Sequence, residues 1–327
     1  IYHMNNKVLS DQIDSTNSRL SNLHLSNGCI PFDEMPFSTS LLHHNPRLAD
    51  LFDCIDSTNR MHEILARYVR INTDRRGQLY TPREELIRFG CVDSLVSLFN
   101  SHLYHNPRHQ ARRLKERNNH FYISGCEEDT VYIIQKLIQL SKIGVQNYIN
   151  FVDAWLNSGI HPVDCDEKKE ALRIMFSQSS VVLIYGSAGT GKSTLIDHVS
   201  HLFKNQSKLY LANTNPAVEN LKRRVTLQSA DTDFMTITSF LLRQNNRVKY
   251  DILVIDEYST VNNSDMRAIL DKVEFQLLVL VGDIYQIEAI EFGNWFCAAR
   301  GFVPNASVVE LVTPHRSHSP ELQVLWD

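Results

Sequence analysis

Apolar residues recur along this chain in two rhythms. In the first half they return every three or four positions: Leu48, Leu51, Phe52 and Ile55 after Pro46, then Leu86, Phe89, Val92, Leu95 and Phe99 after Thr81-Pro82. Val131, Ile134, Leu137 and Ile138 repeat the pattern, followed by Val145, Ile149, Val152 and Trp155. That spacing predicts amphipathic helices. Ahead of them, residues 1–40 are rich in Ser, Asn and Asp, and Pro31 and Pro36 predict an extended lead-in. Beyond Ser158-Gly159 and Pro162 the rhythm changes to short, continuously apolar runs: Val181 to Tyr185, Leu209 to Ala212, Ile252 to Ile255, Leu277 to Val281 and Val308 to Leu311. Strands apolar on both faces and separated by helix-forming stretches predict a parallel sheet covered on both sides. The expected organisation is a mainly α-helical domain over residues 1–160 and an α/β domain over 161–327.

Composition narrows the classes without choosing among them. With 327 residues, 43% apolar and 21% charged, the chain has the make-up of an ordinary globular protein of two domains. No apolar run approaches the roughly 20 residues of a membrane helix, so no membrane partner is expected. A net charge of −4 means that any nucleic-acid binding must come from a local groove. The six cysteines form no C-x-x-C pair, which predicts reduced thiols and a cytoplasmic setting. The basic stretch Arg108 to His120, with Glu116 inside it and acidic residues after it, is expected to be a solvated helix face rather than a phosphate strip.

The chemistry is concentrated after the first apolar run of the second half. Gly186-Ser187-Ala188-Gly189-Thr190-Gly191-Lys192-Ser193-Thr194 fits G-x-x-x-x-G-K-[ST], between a predicted strand and a predicted helix. Glycines there let backbone N–H groups curl around an anion, and the helix start adds its positive dipole end. Lys192 is placed to reach the outer phosphates and Ser193 to ligate magnesium. A second element, Ile252 to Ile255 followed by Asp256-Glu257, brings two carboxylates to a strand end, Asp256 for the metal and Glu257 to polarise a water. A third strand empties into Gly282-Asp283-Ile284-Tyr285-Gln286, where Gln286 is the candidate sensor of the terminal phosphate.

Taken in order, these segments resemble the first motor domain of superfamily 1 helicases, in the branch of RecD-like and nonsense-mediated-decay-type enzymes. The resemblance covers roughly residues 165–327 and implies a RecA-like P-loop fold, ATP and Mg2+ as cofactors, and ATP-driven movement on nucleic acid. Leu211 to Leu221, with Thr214, Asn215 and Pro216, is similar to the family's loop that contacts the backbone of single-stranded nucleic acid, and Thr238 lies in a similar segment, Thr236 to Leu241. Leu311 to Ser317 resembles the segment whose arginine, here Arg316, touches the terminal phosphate. In the position where the family often carries an adenine-reading Gln, this chain has Lys168. The resemblance further implies that the second motor domain lies outside these residues, so that the chain alone is expected to be weak or inactive in unwinding. Single-stranded nucleic acid is the expected partner, DNA in preference to RNA, with a protein partner for the N-terminal helical domain. The competing reading is a nucleotide-dependent P-loop switch that regulates a protein partner.

Overall fold

The computed structural model describes residues 57–313 apart from 188, 244–246, 283–292 and 294, together with residues 23–24, 30, 32–33, 37–38, 49 and 51–52. The chain folds as two compact units, Ile1–Glu128 and Asp129–Asp327. Among the described residues no helix is long and apolar enough to cross a membrane.

In the first unit, helix α1 (Met61–Arg76) and helix α2 (Val92–His102) enclose a small core in which Leu65, Val69, Val96 and Phe99 are buried. Three short antiparallel strands, β1 (Thr81–Pro82), β2 (Leu114–Arg117) and β3 (His120–Ile123), complete it in the order β1-β3-β2. The expected helix face at Arg108 to His120 is therefore corrected: most of that stretch is a hairpin. Asn118 and Asn119, at φ 48° and 63°, supply the two left-handed positions of a tight turn, which Asn tolerates better than most residues. Three cations of the stretch are paired, Arg112 with Asp33, Lys115 with Glu128 at 3.3 Å and Arg117 with Glu127 at 2.7 Å. A β-hairpin edged with matched charges replaces the expected helix.

The second unit is built on a six-stranded parallel sheet. Its strands are β4 (Val181–Gly186), β5 (Lys208–Ala212), β6 (Thr232–Thr236), β7 (Ile252–Asp256), β8 (Leu277–Val281) and β9 (Val308–Leu311), in the spatial order β9-β4-β8-β7-β5-β6. Five of them match the apolar runs read from the sequence. The sixth, β6, has a half-polar edge-strand composition, Thr-Asp-Phe-Met-Thr, and gave no apolar run.

Side chains alternate across this sheet with the period of two that strand geometry imposes. Leu183, Leu211, Leu253, Ile255 and Leu280 face one core, while Val182, Ile184, Tyr210, Val254 and Val279 face the other. The first core is closed by helices α3 (Ser124–Leu140), α8 (Ile237–Leu242), α9 (Asn263–Lys272) and α10 (Trp295–Phe302). The second is closed by α4 (Tyr148–Asn157), α5 (Asp166–Ile174), α6 (Lys192–Leu202) and α7 (Asn215–Arg224). This is the α/β architecture expected from the sequence, with helices on both faces.

The packing moves the working boundary upstream of residue 160. Ile133, Ile134 and Leu137 of α3, and Tyr148 and Val152 of α4, are buried in the two sheet cores. Each such side chain contributes about 1.5–3 kcal/mol of burial, and losing all five is comparable with the whole stability of a domain. A chain beginning at residue 161 is therefore expected to be insoluble or molten, and one beginning at residue 124 to unfold cooperatively. Thermal unfolding followed by circular dichroism checks this, and a cooperative transition for the shorter chain would contradict the assignment.

Candidate nucleotide site

Strand register brings the expected phosphate-binding residues to one edge of the sheet. Ile184 of β4 lies abreast of Val281 of β8, and Val281 abreast of Asp256 of β7. Asp256 thus ends its strand level with the residue two before Gly186, separated laterally by the single strand β8. At about 4.8 Å per strand, that is roughly 10 Å, and α6, whose first residues are Lys192 and Ser193, starts just beyond the end of β4.

The loop between β4 and α6 is a cradle that only small residues permit. A Cβ on Gly186 would lie 2.4 Å from Thr190 Oγ1 and 2.7 Å from the Leu311 carbonyl of β9. Gly191, the residue capping α6, has φ 87° and turns the chain into the helix. Thr190 is buried and its hydroxyl donates to the Ser187 carbonyl at 3.0 Å, bracing the loop from inside. Lys192 Nζ donates to the carbonyls of Gly186 at 2.5 Å and Ser187 at 2.9 Å. The ammonium thus lies folded into the loop. Ser193 and Thr194 are half-buried in the first turn of α6, and Ser187 is exposed. Ala188 lies outside the described residues.

Burial at the end of β7 pushes Asp256 up to about 6. The backbone N–H of Glu257 pulls it down, the Glu257 charge pushes it up, and Lys192 pulls it down again. A desolvated carboxylate close enough to Lys192 to feel its charge, together with the hydroxyl of Ser193, is a donor set that a hard divalent cation with phosphate oxygens would complete. The residues fit Mg2+ and a nucleotide triphosphate.

Glu257 follows in the left-handed region, at φ 52° and ψ 38°. For a non-glycine residue this costs on the order of 1 kcal/mol or more, so surrounding bonds must hold it. Its N–H donates to Asp256 Oδ1 at 3.0 Å, and its carbonyl accepts from Thr260 N–H at 2.9 Å and Thr260 Oγ1 at 2.8 Å. The sequence motif identifies Glu257 without showing this.

The expected nucleic-acid loop begins where β5 ends. Thr214 caps α7, its hydroxyl accepting from Ala217 N–H at 3.3 Å, with Pro216 in the first turn. Asn215 and Pro216 are exposed, as is Thr238 near the start of α8, a helix capped by Thr236. The side chain of Asn213, just before them, donates to the Thr260 carbonyl at 3.0 Å and to Thr260 Oγ1 at 3.3 Å. Asn213 and Thr260 therefore join the loop at 214–216 to the backbone of Glu257. Motif matching passed over both; a polar residue directly after the apolar run at Leu209 to Ala212 was the available signal.

Lys168 is fully buried, with its ammonium paired to Asp164. Its neighbour Glu167 accepts from Val312 N–H at 2.9 Å, tying α5 to the end of β9. Gln286 and Arg316, expected to complete the site, lie outside the described residues.

Residues 166–325 match a family model described as an AAA domain. Over 183 residues the chain is 28% identical to the RecBCD enzyme subunit RecD of Mycolicibacterium smegmatis, covering 46% of this chain and 33% of that subunit. The chain thus spans about a third of the length of this curated relative. Among solved structures, a Bacteroides Pif1 bound to single-stranded DNA overlaps at 17% identity and a TM-score of 0.33, over 50% of this chain and 45% of that one. The Pif1 helicase from Candida albicans overlaps at 19% identity and 0.32, over 50% and 43%. The sheet order and loop geometry, rather than these overlaps, carry the fold assignment.

The raised Asp256 sets a pH dependence. Because the folded value lies above the ordinary 3.8, the carboxylate form destabilises the ligand-free fold. That penalty is absent below pH 4, grows between 4 and 6, and is complete above 6. Two units correspond to at most about 3 kcal/mol. Asp256→Asn, which keeps the acceptor for Glu257 N–H, is expected to raise the ligand-free Tm by several degrees at pH 8 and by nothing at pH 4. Scanning calorimetry at the two values checks it.

Proposed function

We propose that residues 166–325 are a superfamily 1, RecD-like helicase motor domain and that the chain binds and hydrolyses ATP with Mg2+ as the engine of a single-strand nucleic-acid helicase or translocase. The observation that carries the reading is the joint placement of the Gly186 to Thr194 loop and the Asp256-Glu257 strand end at one sheet edge, linked through Thr260 and Asn213 to an exposed loop.

In this reading Lys192 leaves its two loop carbonyls for the phosphates, exchanging two neutral acceptors for charged ones. Ser193 and Asp256 hold the metal, and Glu257, fixed in a strained conformation, accepts a proton from the attacking water. A magnesium ion held there would supply positive charge to offset that of the phosphates. Gln286 and Arg316 complete the phosphate contacts. Asn215, Pro216 and Thr238 offer exposed backbone-contacting positions, which makes binding largely independent of sequence and sensitive to salt. Single-stranded DNA is the proposed polymer.

Two outcomes test this in the full-length protein. Glu257→Gln is expected to retain ATP binding and lose hydrolysis at least a hundredfold, while Lys192→Ala loses binding as well; a steady-state ATPase assay paired with nucleotide-binding titration separates them. Unchanged turnover in Glu257→Gln would remove it as the base.

The bond from Asn213 to Thr260 generates a second expectation. Asn213→Ala should leave ATP hydrolysis without polymer near the wild-type rate and reduce its stimulation by single-stranded DNA several-fold. ATPase rates across a DNA titration measure this, and full stimulation would show that the link transmits nothing.

A further inference from the structure

Arginines from two elements of the first unit converge on one aromatic ring. Tyr68 and Arg76 lie on α1, about two turns apart, and Arg88 comes from the helical turn Ile87–Phe89. The Arg88 guanidinium lies 4.3 Å from the centroid of Tyr68 and 4.9 Å from that of Phe89, the two rings being 5.5 Å apart. Arg76 approaches the Tyr68 ring at 6.0 Å, and its Nη1 donates to Asn72 Oδ1 at 3.1 Å. Arg75, Arg76 and Arg88 are all exposed. None of these residues takes part in the nucleotide site.

The ring is held by bonds on its polar end. Tyr68 donates its hydroxyl to Glu85 Oε2 at 2.6 Å, and Asn72 Nδ2 donates to the same oxygen at 3.3 Å. The Tyr68 hydroxyl holds the Glu85 carboxyl below its usual range against the opposing effect of burial, and Asn72, Arg76 and Arg88 add to it. Neighbouring arginines are matched directly, Arg60 with Glu63 at 2.8 Å, Arg70 with Asp33 at 3.7 Å and Arg83 with Asp93 at 2.7 Å. Among the described residues, Arg75, Arg76 and Arg88 make no such ion pair. Their charge is felt at Arg67, whose guanidinium is held below its usual value by burial and then by Arg70, with Asp33 opposing and Arg75 adding.

Cations in the last turn of α1 answer the negative end of the helix dipole, which accounts for Arg75 and Arg76. It does not account for Arg88, which belongs to another element and lies over the same ring. Residue type is a second pointer: the stretch from Arg60 to Gly90 holds seven arginines and no lysine. Lysine serves a solvated face equally well, whereas guanidinium stacks on aromatic rings and offers paired N–H donors to a phosphate. Ile87, beside Arg88, is 61% exposed, so an apolar side chain borders the cations. Fixed positive charge, a planar stacking group and apolar surface together suit an unpaired nucleic-acid strand, which presents phosphates and open base faces. An acidic peptide segment would use the charge alone.

We propose that Tyr68, Arg75, Arg76, Arg88 and Phe89 form a contact surface for single-stranded nucleic acid, carried by the first unit on residues other than Asn215, Pro216 and Thr238. Arg75 and Arg76 bond phosphates. Arg88, backed by Tyr68 and Phe89, presents the solvent side of its guanidinium to a base. Backbone charge and base planarity are what this surface reads, so it is indifferent to sequence. It requires no ATP hydrolysis.

The test is fluorescence anisotropy of a labelled oligothymidylate of about 20 nucleotides, titrated with the nucleotide-free chain over a range of salt. Arg75→Ala combined with Arg76→Ala is expected to weaken binding at least tenfold and to flatten the slope of log K against log salt by about 1.4, at about 0.7 per phosphate contact. Arg88→Lys keeps the charge and removes the stacked plane, so it should weaken binding several-fold with the slope unchanged. Lys142→Ala combined with Lys249→Ala removes equal charge elsewhere and should change binding less than twofold. Lys192→Ala should bind the strand as the wild type does, so failure of the ATPase reading and failure of this surface appear in different variants. Circular dichroism of each variant confirms folding before titration. Wild-type binding by the Arg75 and Arg76 double variant would overturn the proposal, as would an equal loss in the lysine control or no measurable binding by the wild type. Polyglutamate that competes as well as the strand itself would overturn it in favour of an acidic protein segment.

Discussion

The parallel register of β4, β8 and β7 is the constraint on which the rest of the second unit depends. Parallel pairing makes all the strands run out of the sheet at the same edge, so whatever residues follow them are gathered there. Because both faces are packed, the register cannot slip: a shift of one residue would turn Leu253 and Ile255 into the core now filled by Ile252 and Val254. The depth of Asp256 relative to Gly186 is thus set by hydrophobic alternation far from the charges it positions. Apolar packing on two faces is what makes a polar site at the edge reproducible.

That dependence explains what the sequence showed and what it hid. Runs such as Leu277 to Val281 are legible because a strand buried on both faces must be apolar throughout, and the phosphate loop is legible because its glycines answer a steric demand that no other residue meets. Strand order is another matter. Nothing in the string states that β8 inserts between β4 and β7, since that choice is made by long-range pairing. The edge strand β6 escaped because an edge is only partly buried and its residues are half polar. Helices α3 and α4 were read correctly as helices yet assigned to the wrong side of a boundary near residue 160, because periodicity reports that a face is buried without saying against what. The hairpin at Leu114 to Ile123 was missed for a local reason: charge dominated the reading, and Asn118-Asn119 carried the turn signal.

Within the candidate site, residue identity was legible and residue state was not. Lys192, Ser193, Asp256 and Glu257 follow from motif spacing, but the fold adds what each is doing before ligand arrives. Lys192 is bonded to carbonyls of its own loop, Asp256 has lost part of its preference for ionisation, and Glu257 is held in a conformation that its side chain disfavours. All three are conditions a ligand relieves or exploits. In the proposed reading a cation beside Asp256 would restore its ionisation and a phosphate would draw the ammonium out of the loop, so part of the binding free energy would be returned from strain and desolvation already present in the fold.

The same logic extends along α6. The helix that begins at the phosphate loop and ends among histidines is held along its length by Leu195, Ile196, Val199 and Leu202 in the sheet's second core. The loop end is shaped by glycines and braced by Thr190 and Lys192, while further along the helix Asp197 bonds Thr226 and His198 bonds Asp164. The tether from Asn213 to Thr260 joins the exposed loop after β5 to the residue whose N–H and hydroxyl bond the Glu257 carbonyl. Short, directional hydrogen bonds thus join the sheet edge to the exposed loop after β5.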